Sequence, residues 1–66
     1  MQITVNGKAE TLPQPATVAE YLALRQLPGN AVAVEWNGTI LSPAALDRTA
    51  LSEGDTLEIL RFVGGG

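Results

Sequence analysis

Cysteine and histidine are both absent from this 66-residue sequence. Without cysteine there is no disulfide, no zinc–thiolate site and no iron–sulfur cluster held by thiolates. Without histidine the commonest metal ligand and the commonest general base are missing. Basic residues are scarce: Lys8, Arg25, Arg48 and Arg61 stand against seven acidic residues, for a formal charge of -3. Scattered along the chain, they supply no phosphate-tracking stripe, so nucleic acid is not an expected partner. An acidic surface suits a basic protein surface instead, chiefly through association rate. No apolar run approaches the roughly 20 residues that span a bilayer. The start, Met1-Gln-Ile-Thr-Val5, is not a basic segment followed by an apolar one. No membrane association and a cytoplasmic location are therefore expected.

What is present is a sequence of turn signals and alternating runs. Ile3 and Val5 alternate with Gln2 and Thr4, and Asn6-Gly7 then offers the two left-handed positions of a type I′ hairpin turn before a second extended run over 8–12. Pro13 and Pro15 break that strand, and Thr17-Val-Ala-Glu20 fits a capping box. The spacing predicts a helix over 18–26, with Val18, Tyr21, Leu22 and the stem of Arg25 on one face, ended by Pro28-Gly29. Val32, Val34 and Trp36 share one face of a third strand, with Ala31, Ala33 and Glu35 on the other. Asn37-Gly38 turns the chain into a short strand at Ile40-Leu41. Residues 42–48 read as a turn or short helical segment that drops Leu46 into the core, and 51–55 as a loop. The last strand is expected over 56–62.

The order ββ-α-ββ-β makes one small α+β domain, with one main helix on one face of a mixed sheet of about five strands. Residues 1–63 form the folded domain and 64–66 a glycine tail. A chain of this size buries only about 60% of its unfolded surface. Its 45% apolar content is adequate for a core without staples.

Side-chain catalysis is poorly supported. Serine occurs only at Ser42 and Ser52, with no histidine to activate either. Glu53 and Asp55, flanking Gly54, read as a solvated loop whose carboxylate accepts backbone amides. No glycine-rich phosphate loop joins a strand to a helix, so no cofactor is expected to bind this chain. On the last strand, Leu57 and Ile59 are expected to face the helix, leaving Glu58, Leu60 and Phe62 on the opposite face. Either Leu60 and Phe62 then form an exposed apolar partner surface, or Phe62 folds over the sheet edge, or the register is shifted by one residue and every face is swapped.

The Gly64-Gly65-Gly66 end is the remaining candidate. A terminal glycine offers an unhindered carboxylate, and glycine reaches conformations closed to other residues. Residues 63–66 extend about 12–14 Å at roughly 3.3–3.6 Å per residue, enough to enter a partner's cleft. Such a carboxylate can attack the α-phosphorus of ATP in a partner's site and form an acyl-adenylate.

Five segments carry a family resemblance: Ile3-Thr-Val-Asn-Gly7, Thr17-Val-Ala-Glu-Tyr-Leu22, Val32-Ala-Val-Glu-Trp-Asn-Gly38, Leu51-Ser-Glu-Gly-Asp55 and Glu58-Ile-Leu-Arg-Phe-Val-Gly-Gly-Gly66. In this order the chain resembles the ubiquitin-like β-grasp sulfur carriers, and among them the sulfur carrier of thiamin (thiazole) biosynthesis. The resemblance implies adenylation of Gly66 by an E1-like activating enzyme that binds MgATP. It also implies conversion to a thiocarboxylate by a sulfur-donating desulfurase relay, and transfer of the sulfur to thiazole synthase. Gly64 and Gly65 would be the glycines a partner recognises, and the first and last strands would lie side by side. Two departures stand out. The loop after the fourth strand reads Leu41-Ser-Pro-Ala-Ala-Leu46, where relatives often carry a Pro-Arg pair and an aromatic. Arg61-Phe-Val63 precedes the glycines, where molybdopterin-branch carriers typically have prolines. The same tail also suits a carrier for molybdopterin, tRNA thiolation or cysteine synthesis, or a protein modifier conjugated through Gly66; a plain β-grasp binding module is the non-carrier reading.

Overall fold

Asn6 and Gly7 take φ of 50° and 83°, and Asn37 and Gly38 take 47° and 87°. Both pairs are the left-handed two-residue turns that the Asn-Gly dipeptides predict. In the computed structural model, which describes residues 1–62, the first turn joins β1 (Gln2–Val5) to β2 (Lys8–Thr11), and the second joins β3 (Val32–Trp36) to β4 (Thr39–Leu41). The helix α1 (Val18–Leu24) lies between the hairpins, and β5 (Thr56–Arg61) comes last.

The strand order is β2-β1-β5-β3-β4. β1 and β5 run parallel, with Thr4 opposite Thr56 and Val5 opposite Leu57. β5 runs antiparallel to β3, from Trp36 opposite Leu57 to Val32 opposite Arg61. The first and last strands are therefore neighbours and β5 is central, as the resemblance implied.

Side-chain parity follows the sequence reading. Ile3, Val5, Val32, Val34 and Leu57 are buried, and meet Val18, Tyr21 and Leu22 from α1 in one core with Leu12, Leu46 and Leu51. A seven-residue helix is too short to persist alone in water. This burial and its caps hold it. The capping box is present: the Thr17 amide donates to Glu20 Oε1 at 2.7 Å and the Glu20 amide to Thr17 Oγ1 at 3.1 Å. The Val18 and Ala19 amides donate to the carbonyls of Thr49 and Leu46. With these bonds the first-turn donors are taken by protein, so this helix start is not an anion site.

The helix ends earlier than the spacing predicts. Arg25 is the C-cap, and Gln26 is left-handed at φ 58°. The Gln26 amide donates to Ala23 and the Leu27 amide back to Leu22, which is a Schellman closure. Pro28-Gly29 follows the stop and does not cause it. Arg25 is exposed; its guanidinium reaches Glu10 rather than laying its stem on the core.

Gln26 occupies a position where glycine is unstrained. Gln26→Gly should stabilise the fold by about 0.5–1 kcal/mol, read as a higher denaturant midpoint at unchanged slope. A lower midpoint would mean that the Gln26 side chain itself contributes more than the backbone strain.

Candidate functional site

The tail residues Gly64, Gly65 and Gly66, like Val63, lie outside the described residues. What can be seen is how β5 is held just before them. At its start, the Asp55 side chain is only 8% exposed. Its carboxylate accepts from Trp36 Nε1 at 3.0 Å, Asn37 Nδ2 at 3.0 Å and the Ser52 amide at 2.8 Å. Burial pushes its pKa up, but the Asn37, Ser52 and Trp36 donors outweigh burial and hold it below the usual carboxylate range. The solvated-loop reading of Asp55 is thus corrected: the carboxylate is a buried hub joining the β3–β4 turn to the loop before β5. Glu53 does follow the loop reading, accepting from the Gln2 amide at 2.9 Å.

Farther along, β1 ends at Val5 while β5 continues to Arg61. The Asn6 carboxamide fills the gap. Its Oδ1 accepts from the Ile59 amide at 2.7 Å and its Nδ2 donates to the Ile59 carbonyl at 3.2 Å. A side-chain amide here replaces one peptide unit of strand. The turn role expected for Asn6 is present, and this clamp adds to it. Asn37 is used similarly, accepting from the Thr56 amide at 2.8 Å.

The sheet face away from the helix carries the apolar candidates. Leu60 is 67% exposed and sits opposite Ala33 across the ladder. Ile40, 75% exposed, joins them from β4 in a shallow concavity of about 290 Å³. The sequence reading did not place Ile40 there. The signal was available, because a two-residue turn at Asn37-Gly38 sets Glu35 opposite Ile40 and so on the same face. Phe62 is 54% exposed and its amide donates to Ala31 at 2.8 Å, so the ladder runs one residue past β5. Phe62 borders a different concavity, shared with Ala19, Val32, Val34 and Leu46 of the helix side, which favours the alternative in which it folds over the sheet edge. Leu60 and Phe62 are both exposed, but they do not share one hollow. Glu35 and Glu58 lie directly opposite one another beside Leu60. Paired like charges at this spacing cost stability in isolation.

Among the described residues no cluster of three His, Cys, Asp or Glu side chains could hold a metal ion. Ser52 donates its amide to a carboxylate already committed to two other donors. Among the described residues neither serine hydroxyl donates to a base, and the one hydroxyl that meets a carboxylate, that of Tyr21 on Glu10, belongs to a part-buried contact with the helix.

A family model for the ThiS family matches residues 2–66. The chain belongs to the ThiS family. Among solved structures, this ThiS-family chain is similar to the crystal structure of a thiamine biosynthesis protein (ThiS) from Geobacter metallireducens. The two are 42% identical with a TM-score of 0.81, and all of both chains is covered. An NMR solution structure of a thiamine biosynthesis protein from the same organism is 39% identical with a TM-score of 0.84, covering all of this chain and 88% of that one. A curated relative, thiazole synthase from Paramagnetospirillum magneticum (strain ATCC 700264 / AMB-1), is 33% identical over 66 residues. The match takes in the whole of this chain but only 20% of that relative's length. The five-stranded mixed sheet with one helix is the β-grasp fold of this family. No helix among the described residues is long and apolar enough to cross a membrane.

Two changes test how β5 is held. Asn6→Gly keeps the left-handed turn but removes both bonds to Ile59. It should cost about 1–2 kcal/mol and speed hydrogen exchange at the Ile59 amide. Unchanged exchange there would show that the clamp contributes nothing. Asp55→Asn should cost about 2–3 kcal/mol at neutral pH. Because the folded-state pKa of Asp55 is depressed, its contribution is complete above the unfolded value of about 3.9 and lost as pH falls through the folded one. The stability gap between wild type and Asp55→Asn, measured by denaturant titration, should therefore narrow on acidification; a constant gap would contradict the charge-based account.

Proposed function

We propose that this ThiS-family chain is a sulfur carrier and not an enzyme, and that its working group is the terminal carboxylate of Gly66. An E1-like activating enzyme supplies MgATP. The Gly66 carboxylate attacks the α-phosphorus of ATP, pyrophosphate leaves, and an acyl-adenylate forms. Sulfur drawn from cysteine through a desulfurase relay arrives as a persulfide on a partner protein, whose terminal sulfur displaces AMP to give an acyl disulfide. A second thiol then attacks the partner's sulfur, forming a disulfide there and releasing the thiocarboxylate. Thiazole synthase takes that sulfur for thiamin biosynthesis.

The observation that carries this reading is the family match running from residue 2 through Gly66. The site chemistry agrees with it. The candidate acid Asp55 is bound up as a structural hub, and the helix start is closed by its own chain. Activation therefore falls to a partner. The thiazole branch is favoured by the relative named thiazole synthase, a fifth of which resembles this whole chain. A carrier segment on the same polypeptide as its acceptor suits a direct hand-over of sulfur. In this reading Gly64 and Gly65 pass through the narrow part of the partner's site, where a Cβ would collide, and Leu60 and Phe62 hold the partner while the tail is threaded.

Adenylation can be followed as ATP–pyrophosphate exchange by the thiamin-pathway activating enzyme. Deleting Gly66 should abolish exchange and leave the unfolding midpoint unchanged, whereas Leu60→Ser should raise the carrier concentration needed for half-maximal exchange with little change in the maximal rate. Full exchange after deletion of Gly66 would refute the tail mechanism.

A further inference from the structure

Three of the four basic residues in this acidic chain, Lys8, Arg25 and Arg61, border one concavity of about 330 Å³. The register puts them there. Lys8 is opposite Val5 and so projects on the helix face of the sheet. Arg61 follows Leu57 and Ile59 at the same parity, and Arg25 is the C-cap of α1 above them. Val5 and Ile59 form part of the floor. The concavity therefore sits on the helix side of β5, at the root of the tail.

Glu10 neutralises one of the three charges. Its two carboxylate oxygens both accept from Arg25 Nη1 at 2.8 Å, and Oε1 also accepts from the Tyr21 hydroxyl at 2.8 Å. Burial, then the Glu10 carboxylate, pushes the Tyr21 hydroxyl up to about 12, so it stays a neutral donor. This arrangement fixes Arg25 at the rim through one guanidinium nitrogen. The other two nitrogens, the Lys8 ammonium and the Arg61 guanidinium make no hydrogen bond or ion pair among the described residues. Across the sheet, Glu35 and Glu58 give the opposite face the opposite sign.

The backbone at the same place is also open. Phe62 donates to Ala31, so even-numbered residues of β5 bond to β3, while Leu57 and Ile59 bond to Asn6 on the β1 side. Arg61 continues that odd series, and Asn6 reaches no farther than Ile59. The peptide N–H and C=O of Arg61 thus face a strand edge that no described residue covers. Open edges accept an added strand, with backbone bonds giving affinity and side chains giving specificity.

We propose that this edge docks an extended, carboxylate-rich segment of the enzyme that adenylates Gly66. The segment pairs with the β5 edge at Arg61 and sets its acidic side chains against Lys8, Arg25 and Arg61. An enzyme that receives the tail must surround its root, so this contact is continuous with the tail site. With a basic rim on one face and an acidic, apolar face on the other, only one rotation about the β5 axis matches charges. The rim therefore selects the orientation in which the tail enters. This proposal rests on the carrier reading above.

The test uses the full chain with the thiamin-pathway activating enzyme and two readouts. Association of a Lys8→Glu, Arg61→Glu double variant should be slower than wild type by roughly tenfold or more at low salt. Arg48→Glu, which alters the one basic side chain off the rim, should associate at nearly the wild-type rate. The difference should largely disappear at about 0.5 M salt, where screening acts over a few ångströms. Separately, a zero-length carbodiimide should couple the Lys8 amine to an Asp or Glu of the enzyme in the wild-type complex. Equal slowing by the double variant and Arg48→Glu, or exchange-competent complexes with no coupling at Lys8, would overturn the rim while leaving the carrier reading intact. Absence of ATP–pyrophosphate exchange with wild type would overturn the carrier reading, and the rim would fall with it.

Discussion

The parallel pairing of β1 with β5 is the constraint on which the rest of this structure depends. It takes the last strand into the middle of the sheet, where Leu57 is fully buried under the helix. The pairing is short. The Thr4 amide reaches the Asp55 carbonyl and the Asn6 amide the Leu57 carbonyl, each at 2.9 Å, and the strand of β1 is then spent. Side chains complete the hold: Asp55 anchors the approach to β5 and Asn6 grips it at Ile59. Parallel pairs need a long connection, and here that connection contains the helix and the whole second hairpin. The domain can thus be described as a device for fixing one strand whose far end leads to the tail.

That arrangement separates stability from chemistry. The polar groups that are well placed inside the fold are also fully engaged there. No buried side-chain nitrogen or oxygen lacks a hydrogen-bond partner among the described residues. A group so engaged is poorly suited to act on a substrate. A carrier needs none of this: it needs reach, an unhindered carboxylate, and a surface that orients it. Leu60 and Ile40 on one side of β5 and the basic rim on the other are the features that stability does not explain. Exposed apolar groups and unpaired like charges both cost a small monomer something. Leu60 with the Glu35–Glu58 pair on one side, and Lys8, Arg25 and Arg61 on the other, border the last strand, which fits a partner that binds at the tail root.

Much of the fold was legible in the sequence because its signals were local. The two Asn-Gly turns set hairpin registers, Thr17 and Glu20 marked the helix start, and strand parity placed Leu57, Ile59 and Leu60 on their proper faces. The errors arose where distant segments decide the outcome. The helix stops at Leu24 because Gln26 accepts a left-handed turn that lets Leu27 fold back onto the core. Asp55 looks like a loop carboxylate until the β3–β4 turn brings Trp36 and Asn37 onto it. Asn6 reads as a turn residue, and only the parallel neighbour reveals the clamp. Ile40 was within reach of register arithmetic. The basic rim was not, since Lys8, Arg25 and Arg61 are far apart in sequence and meet only through the crossover.

In the proposed mechanism the fold presents, and does not perform, the chemistry, and the atom that changes is at Gly66. Intact-mass analysis of the chain after incubation with the activating enzyme, MgATP and a sulfide-level sulfur donor tests this most directly, with fragmentation to locate the change. The account predicts a single exchange of oxygen for sulfur in the Gly66 carboxyl group. Unmodified carboxylate after full ATP–pyrophosphate exchange activity, or sulfur attached to any side chain, would contradict it.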